Sequence, residues 1–552
     1  MRLSLKGLEH DEWGEMVIRW MGVLLCALAL NAQEVRIQVL ETSDVHGQIL
    51  PADSFTLTPA NQGWAHLGTL IRNLRAANPN TLLVDCGDGT QGQPINYVWS
   101  QLRSDLPEPS MAILNSLGAN AMVVGNHEFD YGFGKLRSVE EQAQFPWLAA
   151  NVVFAATGKR AFTPYLKLEM GGIQVVLLGL TTAGMPRLAE AANLEGLVFQ
   201  DAVATAKTLV PFLKDKEKAD LVIVALHGGL GTIPCGPSDE NQALCLADQV
   251  PGIDLILTGH THQQLSVSQK GVPILQPGVK GQTLGVAEFL FRKNRGRWEK
   301  VSHQARLIQP TAETPQDPKV LEVTAALRTA TETYLNTFAT TLGLDLDGRW
   351  SRMEDTPIMD LLHTVARQAS GAQITALATP SPRTFIPRGA TSVRQFYSLY
   401  PYENRIARIR VTGRQLRAYL EHSARFFNLS HQPELFNKAV PSYNYDTLDG
   451  CTYVLDISRV AGARVVDLKV QGQPVKDDQS FTLGLTSYRL AGGGGYLEAM
   501  GWAGQPEYIN PMILRNLLLA HVLARPTLNP SSPDKWRILP ALDRERVLAQ
   551  QP

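Results

Sequence analysis

Six short apolar runs, rich in Val, Ile and Leu, recur between residues 35 and 259 of this 552-residue chain, with helix-like stretches between them. Strands that are covered on both faces are continuously apolar, and their alternation with helices is typical of layered α/β domains. The pattern leaves open which strands pair in parallel and in what order. The runs are VRIQVLE (35–41), TLLVDC (81–86), AMVVG (121–125), IQVVLLGL (173–180), ADLVIVAL (219–226) and IDLILTG (253–259).

Polar residues set among glycines follow five of these runs. In layered α/β domains the carboxyl ends of strands meet in one crevice, which is where such folds bind ligands. Carboxylate, amide and imidazole donors without thiolate suit Mn, Fe, Co or Zn. Any one motif is more often ordinary loop polarity, but seven donors in sequence predict two divalent ions that share a bridging carboxylate. The motifs are SDVHG (43–47), DCGDG (85–89), GNHE (125–128), LHGG (226–229) and GHTH (259–262).

A second domain follows a break rich in Pro, Thr and acidic residues at 308–319. Helical spacing of apolar residues predicts an amphipathic helix over 318–339, with Asp317 as N-cap and Pro318 at its first position. This helix either connects two domains or belongs to the second one. Further on, the sequence predicts a helix over 356–370 and another from the capping box at Thr412 and Gln415. Strand-like runs occupy 405–411, 452–457 and 480–486.

The first 32 residues predict a secretory signal peptide. Arg19 precedes the apolar run WMGVLLCALAL (20–30), and small residues follow it. This run is too short to span a membrane, which takes about 20 residues. The alternative is a buried first helix. Cleavage after Ala29 or Ala32 would leave an exported chain, periplasmic or extracellular, with no membrane span, and Met16 is an alternative start.

Four cysteines remain in the predicted mature chain. Cys235 and Cys245 share a loop rich in Gly and Pro, and either form a disulfide or remain free thiols. Cys86 ends an apolar run, so we expect it to be buried. The 51 basic residues balance 52 acidic ones, which argues against a chain that wraps a nucleic-acid polymer.

The order DVHG, GDG, GNHEFD, LHGG, GHTH resembles the calcineurin-like metallophosphatase superfamily. In the second half, LYPYEN (399–404), YNYD (443–446) and TSYR (486–489), which precedes the glycines 492–495, resemble exported 5′-nucleotidases. They resemble the bifunctional 2′,3′-cyclic-nucleotide 2′-phosphodiesterase/3′-nucleotidases more closely. The resemblance covers about 35–545. It implies an α/β fold with an N-terminal layered β-sandwich metallophosphatase domain flanked by helices, plus a C-terminal α+β nucleotide-binding domain.

Domain boundaries follow from the break and the resemblance together. We expect a signal peptide at 1–32, a dimetal phosphoesterase domain at 33–310, a linker helix at 311–345 and a substrate-binding domain at 346–552. The expected partner is a nucleotide or another small phosphate ester. We expect a monomer or a weak oligomer.

The resemblance also implies a ligand set and a reaction. Asp88 would bridge the two ions, and the bridging water would attack phosphorus in line. His127 would donate to the phosphoryl or leaving oxygen with Asp130 orienting its ring, although His127 could instead support a ligand. The implied ligands are Asp44, His46, Asp88 and His262 for one ion, and Asp88, Asn126, His227 and His260 for the other.

The second domain carries the implied base site. Tyr402 and Tyr488 match the aromatic residues that stack on a base, although each could equally serve packing. Asn404 would bind the base edge. 5′-Nucleotidases have an acidic residue at the position of Gly494, and a Gly-Gly-x-Arg-like motif where this chain has ATPSPR (378–383), so Arg383 is a candidate substrate contact only.

These departures favour a 2′,3′-cyclic-nucleotide 2′-phosphodiesterase/3′-nucleotidase. The alternative is a 5′-nucleotidase or UDP-sugar hydrolase. A thiosulfohydrolase of the same superfamily and a non-catalytic nucleotide-binding protein are more distant readings.

Overall fold

The computed structural model describes residues 33–400, 402, 404–531 and 534–551. The predicted signal peptide, 1–32, lies outside the described residues and stays a prediction. Within the described part of the chain, every helix is too short or too polar to cross a membrane.

The first domain contains two six-stranded sheets. In the first sheet, Glu34–Thr42, Thr81–Asp85 and Ala121–Val123 run parallel to one another, so the polar motifs that follow them lie at the same edge. Its strands, in order across the sheet, are Arg297–Ile308, Leu284–Asn294, Glu34–Thr42, Thr81–Asp85, Ala121–Val123 and Trp147–Leu148.

The second sheet, like the first, contains both parallel and antiparallel strand pairs. Leu221–His227 lies between Ile173–Thr181 and Leu255–Thr258 and is parallel to both. Its strands, in order, are Gln264–Gln269, Val272–Pro277, Leu255–Thr258, Leu221–His227, Ile173–Thr181 and Tyr165–Met170. All six predicted runs therefore form strands. The order that the sequence left open is mixed: parallel strands form the middle of both sheets, and every edge strand except Trp147–Leu148 is antiparallel to its neighbour.

The two sheets pack face to face, and helices cover their outer faces. Ile37 and Val84 of the first sheet share a buried core with Leu177 and Ile223 of the second. The layered β-sandwich expected from the sequence is thereby confirmed. The helices and short turns of this domain are Trp64–Ala77, Pro94–Gln101, Pro109–Leu117, His127–Phe129, Phe133–Glu140, Met185–Leu188, Ala191–Leu194, Ala202–Asp215 and Ala243–Gln249, beside a small strand pair, Val152–Phe154 and Leu197–Phe199.

The helix after the break spans Pro318–Leu335, so its predicted end at 339 is wrong. Asp317 caps it through the Val320 amide, as expected. The chain leaves the helix at Asn336 because Phe338–Leu342 pairs with Gly389–Ser392 as a strand. Helical spacing of apolar residues alone could not reveal that partner.

This helix touches the cores of both domains. Val320 and Leu327 pack into the first domain, whereas Leu335 packs into the second. The Arg72 side chain of the first domain also contacts Asp317, with Nε 2.6 Å from the carboxylate. The helix therefore serves as a shared element between the two domains.

The second domain is α+β, as expected. Its central sheet has, in order, Asp446–Asp449, Ile374–Ala378, Ser480–Thr486, Arg405–Thr412 and Tyr508–Ile513. Smaller sheets comprise Gln473–Pro474, Val465–Val470, Thr452–Asp456 and Trp536–Leu539; Gly389–Ser392, Phe338–Leu342 and Thr527–Leu528; and Leu346–Asp347 with Phe385–Ile386. The helices and short turns are Pro357–Ser370, Val393–Leu399, Gly413–Ser423, Ala424–Phe426, Ser442–Asn444, Ser487–Leu490, Gly493–Gly495, Tyr496–Ala499, Leu514–Leu523 and Arg544–Gln550.

Candidate metal centre and facing cleft

The predicted metal ligands gather in two groups at one edge of the sandwich. Asp44, His46 and His262 offer donor atoms that lie within 4.8 Å of one another, and Asp88, His227 and His260 form a second such group. Each group combines loops from both sheets. Asn126 joins the second group, because its Oδ1 lies 2.9 Å from His227 Nε2 and 2.8 Å from His260 Nδ1.

Asp88 lies between the two groups. Its Oδ2 is 3.2 Å from His227 Nε2, and its Oδ1 accepts from the His127 amide at 2.9 Å. Asp88 is 1% exposed and His227 is fully buried, so the two side chains are held in a low-dielectric setting. Asp88 Oδ2 is thus directed at the second group, while Oδ1 is held by a backbone amide.

Five of the seven predicted ligands adopt left-handed backbone conformations. Residues other than glycine do so only in a few per cent of cases, and such conformations gather at functional sites. All five lie two to four residues after the end of a strand. The φ angles are 52° for Asp44, 51° for His46, 59° for Asp88, 72° for His260 and 57° for His262.

Backbone carbonyls fix the rings of two predicted ligands. His46 Nδ1 lies 2.8 Å from the Gln91 carbonyl, and His227 Nδ1 lies 2.6 Å from the Cys86 carbonyl. A carbonyl oxygen only accepts, so each Nδ1 must carry the proton. The Nε2 lone pair of both rings is then directed at the donor cluster, as a metal ligand requires.

The ring of His260 has the opposite orientation to the rings of His46 and His227. Its Nδ1 faces Asn126 and its Nε2 lies 3.3 Å from the Glu240 carboxylate. Glu240 belongs to the loop between Cys235 and Cys245, which form a disulfide. Of the two possibilities left by the sequence, the bonded one is therefore correct. Sequence reasoning missed Glu240, because no motif marks an acidic residue in that loop.

Oxygen and nitrogen donors make up both groups, which is the chemistry that divalent Mn, Fe, Co or Zn ions prefer. The nearby Cys86 thiol is buried and its Sγ contacts Glu41 at 3.7 Å, so it takes no part in the donor cluster. The residues present thus fit divalent metal ions.

Glu128 holds the loops of two predicted ligands together. Its buried carboxylate accepts from the Asp88 and Gly125 amides at 2.8 Å each, and from the Gly89 amide at 2.9 Å. Gly125 is required there, because a Cβ would clash with the Asp88 carboxylate. These contacts give Glu128 a structural role.

His127 and Asp130 form a pair beside the donor cluster. His127 Nδ1 lies 2.8 Å from the Asp130 carboxylate, and its ring centroid is 5.3 Å from that of His46. Burial lowers the pKa of His127, but the carboxylates of Asp130 and Asp88 outweigh burial and raise this pKa to about 10. The imidazolium form is thereby favoured, with Nε2–H left as a donor.

Three partly exposed tyrosines mark the second domain. Tyr402, Tyr443 and Tyr488 are 51%, 53% and 41% exposed. The glycine run packs against one of them, since a Cβ on Gly493 would clash with the Tyr488 ring. Such open aromatic faces are available for stacking.

The other two predicted substrate residues are placed differently. The Asn404 amide donates to the Tyr400 hydroxyl at 3.1 Å, so it lies beside Tyr402. Arg383 is exposed, and its backbone amide bonds Ser381 Oγ. Within the described residues, no hydrogen bond or ion pair joins the Arg383 side chain to the other predicted site residues.

The two domains contact each other through an ion pair. Arg405 of the second domain pairs with Glu190 of the first, with 2.6 Å between Nη1 and the carboxylate. Burial raises the pKa of Tyr488, Arg489 lowers it, and Glu240 is close enough to contribute a further rise. Glu240, which contacts His260, therefore also acts electrostatically on Tyr488.

Comparisons with known proteins agree with this layout. The calcineurin-like phosphoesterase family matches residues 37–264, and the 5′-nucleotidase C-terminal domain family matches residues 334–501. The chain is 28% identical to the trifunctional nucleotide phosphoesterase YfkN of Bacillus subtilis, over 92% of this chain but only 39% of YfkN.

Two further relatives match along nearly their full length. The chain is 27% identical to a 2′,3′-cyclic-nucleotide 2′-phosphodiesterase/3′-nucleotidase of Salmonella typhimurium, over 94% of this chain and 91% of that protein. A Staphylococcus aureus protein solved with α-ketoglutarate shares the fold, with a TM-score of 0.78, at 23% identity over 91% of this chain and 99% of that one.

Proposed function

The chain belongs to the 5′-nucleotidase/2′,3′-cyclic-nucleotide phosphodiesterase family of metal-dependent phosphoester hydrolases, and on this premise we propose that it hydrolyses 2′,3′-cyclic nucleotides. In this proposal water opens the cyclic diester at the 2′-oxygen and leaves a 3′-nucleotide. A second water then releases the 3′-phosphate and leaves a nucleoside.

Two divalent ions are proposed to bind the two donor groups. Asp44, His46, Asp88 and His262 would hold one ion, and Asp88, Asn126, His227 and His260 the other. When bound, such ions supply charge neutralisation at the phosphoryl oxygens and lower the pKa of the attacking water. The fixed tautomers of His46 and His227 support this assignment, because their lone pairs face the cluster.

His127 is proposed as the donor to the phosphoryl or leaving oxygen. The imidazolium favoured by Asp130 presents Nε2–H to the cleft, where a developing negative charge would accept it. Asp130 orients the ring through Nδ1. The alternative role, support of a ligand, is served instead by Glu128 and by the carbonyls described above.

Tyr402 and Tyr488 are proposed to sandwich the base, with Asn404 at its edge. Their exposure favours this role over packing, because a packed tyrosine would be covered. Arg383 is proposed only as a contact to the outer part of the substrate, reached from its exposed loop.

Gly494 supports the cyclic-diester activity over the 5′-nucleotidase alternative. A side chain at this position would run into Arg489 Nη1 at 2.7 Å and Asn444 Oδ1 at 2.8 Å. The acidic residue that 5′-nucleotidases carry there would adopt a left-handed backbone, with φ of 73°, and would require both of these side chains to move. A 5′-nucleotidase or UDP-sugar hydrolase remains the second candidate.

The observation that carries the proposal is the position of Glu240, which contacts His260 at the donor cluster and acts electrostatically on Tyr488 of the second domain. We propose that both regions face one cleft, where one small ligand can touch them. A phosphate ester joined to an aromatic base fits that span.

A substrate panel tests the proposal. We expect the highest kcat/KM on 2′,3′-cyclic AMP, then on 3′-AMP and bis(p-nitrophenyl) phosphate, with 5′-AMP at least about tenfold lower. A preference for 5′-AMP or UDP-glucose would favour the second candidate. Turnover of none of these would point to a thiosulfohydrolase or a non-catalytic binding protein.

Export to the periplasm or the extracellular space is proposed from the disulfide and the N-terminal segment together. Disulfides persist in oxidising compartments and are rare in reducing ones. Fractionation of cells that express the full chain would test this, since cytosolic retention with free Cys235 and Cys245 contradicts it.

A further inference from the structure

His260 differs from the other predicted ligand histidines in what fixes its ring. His46 and His227 donate from Nδ1 to backbone carbonyls, which no side-chain substitution can remove. His260 instead directs Nε2 at the carboxylate of Glu240, 3.3 Å away. The carboxylate can only accept from this nitrogen while ionised, so it places the proton on Nε2 and the lone pair on Nδ1.

Glu240 is held firmly enough to do this. A Cβ on Gly184 would clash with the Glu240 side chain, so the neighbouring turn packs directly against it. The Glu240 carbonyl accepts from Thr182 Oγ1 at 3.0 Å. Arg187 lies on its other side, with Nε 3.9 Å from Oε1.

The loop that carries Glu240 is also closed and anchored. Cys235 and Cys245 close it as a disulfide. Its Asn241 accepts from the Gly229 amide at 2.7 Å, which ties the loop to the segment that follows His227. The loop therefore contacts His260 directly and is tied to the segment that follows His227.

We infer that Glu240 is a positioning residue that sets the affinity of the second donor group for its metal ion. A carboxylate that accepts from the outer nitrogen of a ligand histidine fixes the tautomer and makes the inner nitrogen a stronger donor. The effect is confined to one of the two groups, because the Asp44, His46 and His262 group has no contact with Glu240 among the described bonds. This inference rests on the proposed assignment of metals.

Metal titration of the metal-free full chain tests it directly, by calorimetry with Zn²⁺ or Mn²⁺. Glu240→Ala is expected to weaken one of the two binding steps by about 10–100-fold and to leave the other within about threefold. Glu240→Gln, which keeps an acceptor oxygen without charge, is expected to fall between Glu240→Ala and the wild type. Asp239→Asn is the matched control, since Asp239 is an exposed acid of the same loop that bonds Gly236.

A double-mutant cycle separates positioning from a general loosening of the loop. In a His260→Ala background, Glu240→Ala should have no further effect on metal affinity, because the partner ring is gone. Excess metal should also restore the kcat of Glu240→Gln. NMR of the metal-free wild type should show His260 protonated at Nε2, and a mixture of tautomers in Glu240→Ala.

Two results would overturn the inference: equal weakening of both binding steps, or a full effect of Glu240→Ala in the His260→Ala background. Failure of the proposed function looks different. There the wild type and Asp239→Asn would themselves bind fewer than two equivalents of metal.

Discussion

The donor cluster and the exposed tyrosines are proposed to face one cleft, but the chain builds them in opposite ways. Asp44, Asp88 and His227 are buried at strand ends and have several fixed partners. Tyr402 and Tyr488 are about half exposed; Tyr402 lies on a loop and Tyr488 on the short helix Ser487–Leu490 of the second domain. We propose that a fixed site for the chemistry faces an adaptable surface for recognition, so substitutions on each side should affect different kinetic constants.

Metal removal should give the largest effect and test whether the two sides are independent. We expect chelation to lower kcat at least about 1,000-fold, about 4 kcal/mol, because no described side chain can replace the lost cationic charge. Adenosine should still bind the metal-free protein with its Kd changed less than about threefold, as measured by calorimetry. Loss of adenosine binding on chelation would break the comparison.

His127→Ala should follow in size. We expect kcat to fall about 100–1,000-fold with KM within about threefold, because the lost donor acts on charge that develops in the transition state. Asp130→Asn should cost less, since the ring stays in place. His431→Ala, at an exposed histidine, is the control. Steady-state kinetics with 2′,3′-cyclic AMP decide the matter, and a normal kcat in His127→Ala contradicts the assigned role.

Tyr488→Ala should change KM rather than kcat. Loss of one base stack costs about 1–3 kcal/mol, so KM for 2′,3′-cyclic AMP should rise about 5–100-fold with kcat little changed. Tyr488→Phe should keep most of the affinity. Activity on ribose 3-phosphate, which has no base, should stay normal. Tyr508→Ala removes another partly exposed tyrosine and should leave KM unchanged.

Arg383→Gln should have the smallest effect. The exposed Arg383 side chain has no described ion pair to lose, so we expect KM to rise at most about threefold. A larger rise, measured on 3′-AMP, would mean that Arg383 reaches the phosphate when substrate binds, and would make the tyrosine side of the cleft less adaptable than proposed.

The sequence predicts the donor cluster well because the pattern that indicates each ligand lies in the few residues around it. Each predicted ligand follows an apolar run directly, and parallel strands bring their carboxyl ends to one edge whatever the order of the sheet. The six strands and the cap at Asp317 are local in the same sense.

What the sequence missed depends on distant partners. Glu240 meets His260 only because a loop closed by a disulfide folds back, and Glu190 meets Arg405 only when the domains pack together. The helix end predicted at 339 is wrong for the same reason, since Phe338 pairs with Ser392. Neither periodicity nor spacing encodes such pairings.

The left-handed backbone at the ligand positions predicts which substitutions should accumulate in a descendant that no longer binds metals. At Asp44, His46, Asp88, His260 and His262 the backbone favours glycine, and only the need for a donor side chain opposes that preference. Once the need disappears, drift towards glycine meets little resistance, whereas alanine would keep the misfit. Glycine at several of these five positions would therefore identify a protein of the same fold that has lost its metal-dependent activity.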